Sequence, residues 1–272
     1  MLLSNGFEPD IRVLKEAKSL VKNGFDVTIY CLDRKGNLPL QETIEKIKIK
    51  RIKTGKIKSG KIISVTWHLL KFYTKTISKI KKDHKKKPFR VIHCHDFDTM
   101  MPGIILKNKL KTKLVYDIHD LYESFVEKKK ILKKIIHQMD CFFCKKADNL
   151  IIVNELFKEK KQIKNKKTTI IMNVPEKKSY NKTKQEKIGI FYFGVINQAR
   201  NMEFILKIMN QLNEKITLAG DGPLLKTYKK KYKGNNINYL GRIKPEEVKR
   251  ITAKSKIIIA PYNSLIENNK MG

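Results

Sequence analysis

Arg90-Val91-Ile92-His93-Cys94-His95-Asp96 and Lys113-Leu114-Val115-Tyr116-Asp117-Ile118-His119-Asp120 decide how this chain is read. Each is a short apolar run that ends in His-Asp. Between them, residues 100–108 carry the pattern of a helix. A strand, a helix and a second strand make a βαβ unit, whose strands lie parallel.

The same alternation extends outward. Residues 1–3 read as the tail of a strand. Residues 11–23 place Val13, Leu14, Ala17, Leu20 and Val21 on one helical face, and Gly24 ends that helix. Strands follow at 26–31 and near 48–52, then an amphipathic basic helix at 62–82. Beyond the opening unit come a helix at 127–146, a strand at 149–153, a helix from Asn154 and a strand at 168–172. Runs this apolar, separated by helices, predict a parallel sheet covered on both faces. Asn173-Val174-Pro175 begins a break, and residues 176–186 are polar and linker-like. A second series starts at Ile188, with helices at 202–212, 223–231 and 245–253 and strands at 215–219, 237–240 and 256–260. No internal repeat of fixed period is visible. The expected architecture is α/β, with two Rossmann-like domains facing a cleft: 1–175, a linker at 176–187, and 188–272.

Composition agrees with a folded protein of two domains. The chain has 272 residues, against roughly 100–200 for one domain. Hydrophobic residues make up 41%, enough for a core, which excludes wholesale disorder. The net charge is +34. Either a general bias toward lysine or selection for a polyanionic partner accounts for it. Four cysteines, Cys31, Cys94, Cys141 and Cys144, form no dense framework, so a reducing compartment is expected. No apolar run reaches about 18 residues, and the start lacks a signal-peptide pattern. The expected location is the cytoplasm, at most peripheral on the inner face of the cell membrane. Nucleic acid is not an expected partner, because the aromatic stacking motifs of the usual modules are missing.

In open parallel sheets, ligands bind beyond the carboxyl ends of the strands. His95-Asp96 and His119-Asp120 fall at such ends, and so does the turn Gly220-Asp221-Gly222-Pro223. Glycines there let a phosphate or sugar approach the backbone. Each piece has a plain reading as well: a tight turn, a strand-end histidine, or for Asp117 a strand-end hydrogen bond.

As an ordered set the pieces resemble the family 4 (group 1) retaining glycosyltransferases of the GT-B type. The resemblance runs through residues 4–13, Gly24-Phe25-Asp26-Val27-Thr28, both His-Asp strand ends, Ala147-Asp148-Asn149-Leu150-Ile151 and Met172-Asn173-Val174-Pro175. It continues through Phe193-Gly194, Arg200, Gly220 to Pro223, Tyr239-Leu240-Gly241-Arg242 and Ile259-Ala260-Pro261-Tyr262. It implies a nucleotide-sugar donor of the UDP or GDP type, with a glycan or lipid-linked acceptor and retention of configuration. Arg200 is implied as the cation for the diphosphate, by bidentate pairing. Gly6 and Gly194 would approach the same phosphates, as would the Gly220 and Gly222 turn. Gly241 and Arg242 would line the nucleobase pocket, and His119 would face the transferred sugar. No metal and no cofactor are expected. The family pattern also implies missing pieces: residues before Leu2, and the helix with a glutamate pair that follows a segment like residues 267–272. Val195 stands where some relatives carry a cation. The second domain is thus expected to be incomplete. The alternatives are an inactive or binding-only fragment, or an epimerase of the same fold.

Two further segments have competing readings. Cys141-Phe142-Phe143-Cys144, with His137, is expected to pack in a core rather than bind metal, since no second such pair exists. The basic run 79–87 is either a solvated helix end or a surface for anionic membrane.

Overall fold

The computed structural model describes residues 1–8, 10–55, 62–126, 129–161, 163, 167–174, 187, 189–209, 211–212 and 214–263. The chain forms two compact units, Met1–Val174 and Pro175–Lys270. Apart from Lys187, the expected linker at 176–187 lies outside the described residues, as does the segment 264–272.

The first unit contains β1 (Leu2–Leu3), α1 (Ile11–Lys22), β2 (Thr28–Asp33), β3 (Gln41–Ile44), β4 (Ile47–Lys53) and α2 (Ile62–Lys86). After these come β5 (Val91–His95), α3 (Met100–Leu110), β6 (Lys113–Ile118), α4 (Lys130–Lys146), β7 (Asn149–Ile152), α5 (Leu156–Lys160) and β8 (Thr168–Ile170). The strands pair in the order β3-β4-β2-β1-β5-β6-β7-β8. Every pairing is parallel except that of β3 with β4. Strand order reverses between β1 and β5, so the carboxyl ends there open a crevice.

Alternation along each strand sorts the core into two layers. Leu3, Ile29, Cys31, Ile47 and Ile49 point to one face and bury Val13 and Ala17 of α1. Leu2, Tyr30, Cys94, Leu114, Tyr116 and Leu150 point to the other, against Ile80 of α2, Leu106 of α3 and Phe143 of α4. α1 starts where the Asp10 carboxylate accepts from the Arg12 backbone N–H at 3.2 Å.

Three features differ from the sequence reading. The basic helix runs on to Lys86, so most of the run 79–87 is helical. The hairpin strand β3 was not foreseen. Its turn, Glu45-Lys46, has φ of 48° and 67°, a left-handed pair that usually takes Asn-Gly. The third is the helix of Cys141 and Cys144. Phe143 and Cys144 are buried, but Ile135, Met139 and Phe142 are 46%, 39% and 48% exposed, so much of its apolar surface is not core.

A charged knot closes the end of this unit. The side chain of Lys161 is fully buried, with Nζ at 2.8 Å from both Glu123 carboxylate oxygens and 2.6 Å from Asp140. The Tyr116 hydroxyl donates to Asp140 at 2.6 Å, and His137 Nδ1 lies 3.0 Å from Glu123. All four cysteines belong to this unit and are unpaired; Cys31, Cys94 and Cys144 are buried and Cys141 half-buried.

The second unit contains β9 (Ile190–Phe193), α6 (Met202–Met209), β10 (Ile216–Ala219), α7 (Leu225–Lys231), β11 (Ile237–Gly241), α8 (Pro245–Lys254) and β12 (Ile257–Ile258). Its strands are all parallel, in the order β11-β10-β9-β12, and the order reverses between β9 and β12. Tyr192, Met202, Leu206, Ile216, Leu218 and Tyr228 form its core. Among the described residues no helix is long and apolar enough to cross a membrane.

Candidate functional site

In the first unit the polar residues converge at the reversal of strand order. β5 and β6 pair with His95 opposite Asp117. Because Cys94 and Tyr116 turn to the helical core, His93, His95 and Asp117 turn to the other face, toward Glu16 of α1. One Asp117 oxygen lies 3.5 Å from His93 Nε2, 3.0 Å from His95 Nδ1 and 3.2 Å from His119 Nε2. The His93 and His95 rings stack at 4.3 Å, and those of His95 and His119 are nearly parallel at 5.6 Å. Asp117 therefore lies within ion-pairing reach of three histidines and is not a simple strand-end hydrogen bond.

The protonation pattern follows from burial and charge. Burial works against ionised Asp117, but contacts with His119, His93 and His95 outweigh it and hold the carboxyl well below its usual range. Burial also works against charged His119; the bond to Asp117 and its charge outweigh that and raise the imidazole above its ordinary value. Burial, then the His93 charge, pushes His95 down to about 3, and burial lowers His93 too. Glu16 rises to about 8, first by burial and then by the Asp117 charge. Asp96 rises to about 7, chiefly by burial. The centre pairs a depressed carboxyl, Asp117, with a raised imidazole, His119, beside two carboxyls, Glu16 and Asp96, that hold their protons to higher pH than usual. His119 is turned inward, its side chain 3% exposed, and its Nδ1 has no hydrogen-bond partner in the structure. Glu16, His95, Asp117 and His119 each offer a donor atom, all within 4.8 Å of one another; among the described residues this is the set able to hold a metal ion.

Gly6 lies in the turn after β1. Its carbonyl accepts from Arg51 Nε at 2.8 Å. Arg51, almost completely buried, also donates to the carbonyls of Phe7 and Pro39 and pairs with Glu42. A lone arginine in a strand gives no sign of this role.

In the second unit the turns after β9, β10 and β11 come together through their backbones. Gly194 N–H donates to Ala219 at 3.0 Å, and Gly220 N–H to Gly241 at 2.7 Å. A Cβ on Gly220 (φ 136°) would stand 1.9 Å from the Gly194 carbonyl oxygen, so only glycine fits. A Cβ on Gly222 would stand 2.3 Å from that of Ile196. Arg200 ends the short 3-10 turn Gln198–Arg200, which Asn197 caps. Its guanidinium lies 4.2 Å above the Tyr262 ring. Tyr262 follows β12, and the Asn263 N–H donates to Ala199 at 2.9 Å, fastening the two loops. Arg242 is exposed. The structure thus gathers Gly194, Arg200, Gly220, Gly222 and Gly241 at one sheet edge, with His119 and Gly6 at the corresponding edge of the other unit.

Two units, each a mainly parallel sheet with its crevice at the carboxyl edge, define the GT-B class of fold. The solved structures agree at the level of fold. Sucrose-phosphate synthase (tll1590) from Thermosynechococcus elongatus superposes with a TM-score of 0.74 at 15% identity, over 97% of this chain and 76% of that one. Anabaena Alr3699/HepE in complex with UDP gives 0.61 at 11% identity, over 99% and 77%. The model of Glycosyltransferase Family 4 matches residues 11–173, and the chain belongs to that family. An uncharacterized glycosyltransferase, YqgM of Bacillus subtilis (strain 168), is 28% identical over 160 residues, which is 54% of this chain and 44% of that protein. The match therefore spans less than half of that relative's length.

Proposed function

We propose that the protein transfers a sugar, with retention of configuration, from a nucleoside-diphosphate donor to a glycan or lipid-linked acceptor. The observation that carries this reading is the convergence of Gly194, Gly220 and Gly241 beside Arg200 at the carboxyl edge of β9, β10 and β11. Close backbone and a cation are what a diphosphate requires. HepE, of the same fold, was solved with UDP and with UDP-glucose, which favours a UDP-type donor. Departure of the diphosphate builds negative charge, which fixed dipoles and a cation stabilise more in the transition state than in the ground state. His119, whose raised imidazole sits 3.2 Å from Asp117, is assigned to the transferred sugar or the acceptor, and Gly6 and Arg242 to the phosphates and the base. Lys79, Lys82 and Lys86, with Lys50 and Lys75, line a groove of about 660 Å³, whose one carboxylate, Asp83, is paired with Lys50, so the net lining favours anionic groups.

The test is calorimetric titration of the chain with UDP, GDP and UDP-glucose, alongside a transfer or hydrolysis assay. His119→Ala should lower turnover and leave nucleotide affinity unchanged. Wild-type turnover in that variant removes His119 from the site; no binding of any nucleoside diphosphate removes the reading itself.

A further inference from the structure

Where α1 crosses the ends of β5 and β6, three donor atoms stand in a nearly regular triangle. His95 Nδ1 and His119 Nε2 face the same Asp117 carboxylate oxygen, at 3.0 and 3.2 Å, and lie 3.3 Å from each other. Donors held at about 2.0–2.1 Å around a tetrahedral metal stand roughly 3.3–3.4 Å apart, so the triangle has the size of one face of such a site. Hydrogen bonding fits it poorly. If both rings turn N–H groups to the oxygen, two hydrogens meet between the nitrogens; if one ring turns a lone pair, the oxygen loses a donor. Asp117 is 1% exposed, yet its Oδ2 has no hydrogen-bond partner in the structure. A cation takes all three lone pairs at once.

The fourth donor comes from α1. Val13 and Ala17 bury that helix against the sheet, and Glu16 beside them brings a carboxylate oxygen within 4.8 Å of each of the other three donors. Glu16 Oε2 is also without a hydrogen-bond partner. Two carboxyls turned toward each other inside a fold are held together when a cation lies between them. His93 Nε2, at 3.5 Å from Asp117 and 3.7 Å from Glu16, stands outside the triangle and can donate to both carboxylates once they ligate.

We propose that Glu16, His95, Asp117 and His119 form a binding site for a divalent transition metal, zinc being the ion that this donor set suits best. Two imidazoles and two carboxylates in a tetrahedral frame fit zinc. Magnesium and calcium, which gather six or more oxygens, do not fit it. Zinc on His119 Nε2 leaves the ring hydrogen on Nδ1, the nitrogen that has no partner in the protein, and so fixes His119 as a hydrogen-bond donor there. In the metal-free chain the same groups share protons instead. The site rests on this geometry and not on the transferase reading, and its test needs neither donor sugar nor turnover.

The experiment is competition between the 272-residue chain, first freed of metal with EDTA, and a chromogenic zinc chelator. Uptake of a single zinc per chain is expected, with a higher melting temperature in its presence and no effect of magnesium. Cobalt in place of zinc should give the strong visible bands of a tetrahedral site. Glu16→Gln changes the most accessible member of the set; it should fold as wild type and bind zinc at least ~tenfold more weakly. Asp117→Asn should abolish uptake, and should that variant fail to fold, Glu16→Gln decides. Cys141→Ser should leave uptake unchanged; it is the control because Cys141 Sγ lies 3.6 Å from His137 Nε2 and these are zinc-type donors as well. Absence of zinc uptake by the wild type overturns the inference, as does uptake by Glu16→Gln equal to wild type. Zinc lost in Cys141→Ser and kept in Glu16→Gln would move the ion to α4 and overturn it too. A chain that takes up zinc but binds no nucleotide would sink the transferase reading and leave this one standing; a chain that binds nucleotide but no zinc would do the reverse.

Discussion

With Asp117 ionised among three imidazoles, the neighbouring Glu16 keeps its proton, and its carboxyl titrates near 8 instead of its ordinary 4.5. Between those values the folded chain holds a proton that the unfolded chain has released, so stability falls as pH rises across that window. His119 acts in the same direction. Its raised pKa contributes stability that is full below about 6.5 and is lost as pH rises through the folded value. Asp117 acts oppositely: its depressed pKa contributes stability above about 3.9, lost as pH falls through the folded value. Glu16→Gln should therefore flatten the decline of stability toward pH 8, read by urea unfolding across that range. An unchanged slope would mean that Glu16 ionises freely in the fold. In the second unit, Arg200→Ala should weaken nucleoside-diphosphate binding by about 1.5–3 kcal/mol, the value of a charge-assisted bond. Calorimetry showing wild-type affinity would move the diphosphate elsewhere. His95 and His119 were legible in the sequence because they fall at strand ends; Asp117 was read only as a strand-end hydrogen bond, and its place among three imidazoles, with His93 as one of them, comes from the pairing of β5 with β6. Glu16 was not legible, because a lone acid on an amphipathic helix looks like a solvent-facing residue. Tyr262 was legible only as part of a family pattern, and its place over Arg200 comes from two loops joined in space.

Among the elements, those with strong periodicity were readable and those held by tertiary contacts were not. The apolar runs of β2, β5, β6 and β10 name themselves. β3 reads Gln41-Glu42-Thr43-Ile44, with little to distinguish it from a loop, and it forms because β4 offers an edge to pair with. Arg51 then reinforces it through Glu42 and the Pro39 carbonyl. The knot at Lys161 joins three elements: the end of α5, the turn holding Glu123, and α4 through Asp140. Lys161→Met would leave two carboxylates buried without their cation. The cost is expected to be about 3–5 kcal/mol, the usual penalty for breaking a buried pair by removing one partner. Chemical denaturation measures it, and a loss under about 1 kcal/mol would show that water replaces the ammonium easily.

On the scale of the whole molecule, the two units have separate cores, one pair of layers around the first sheet and one cluster in the second. Calorimetry should therefore resolve two transitions. Leu218 is 1% exposed in the second core, so Leu218→Ala should lower one transition by about 2–5 kcal/mol and leave the other in place. A single transition that shifts as a whole would mean that the units unfold together.

The unpaired thiols offer a way to watch this directly. Burial pushes Cys31 and Cys94 up to about 12, and it raises Cys141 and Cys144 as well. At neutral pH a maleimide or disulfide reagent meets almost no thiolate at the buried Cys31, Cys94 and Cys144 until the surrounding structure opens, whereas the half-buried Cys141 serves as the reference for labelling without opening. All four groups lie before Val174. Labelling of the three buried thiols thus acts as a clock for opening of the first unit and is silent about the second, so mass added per molecule over time separates the two without any engineered probe.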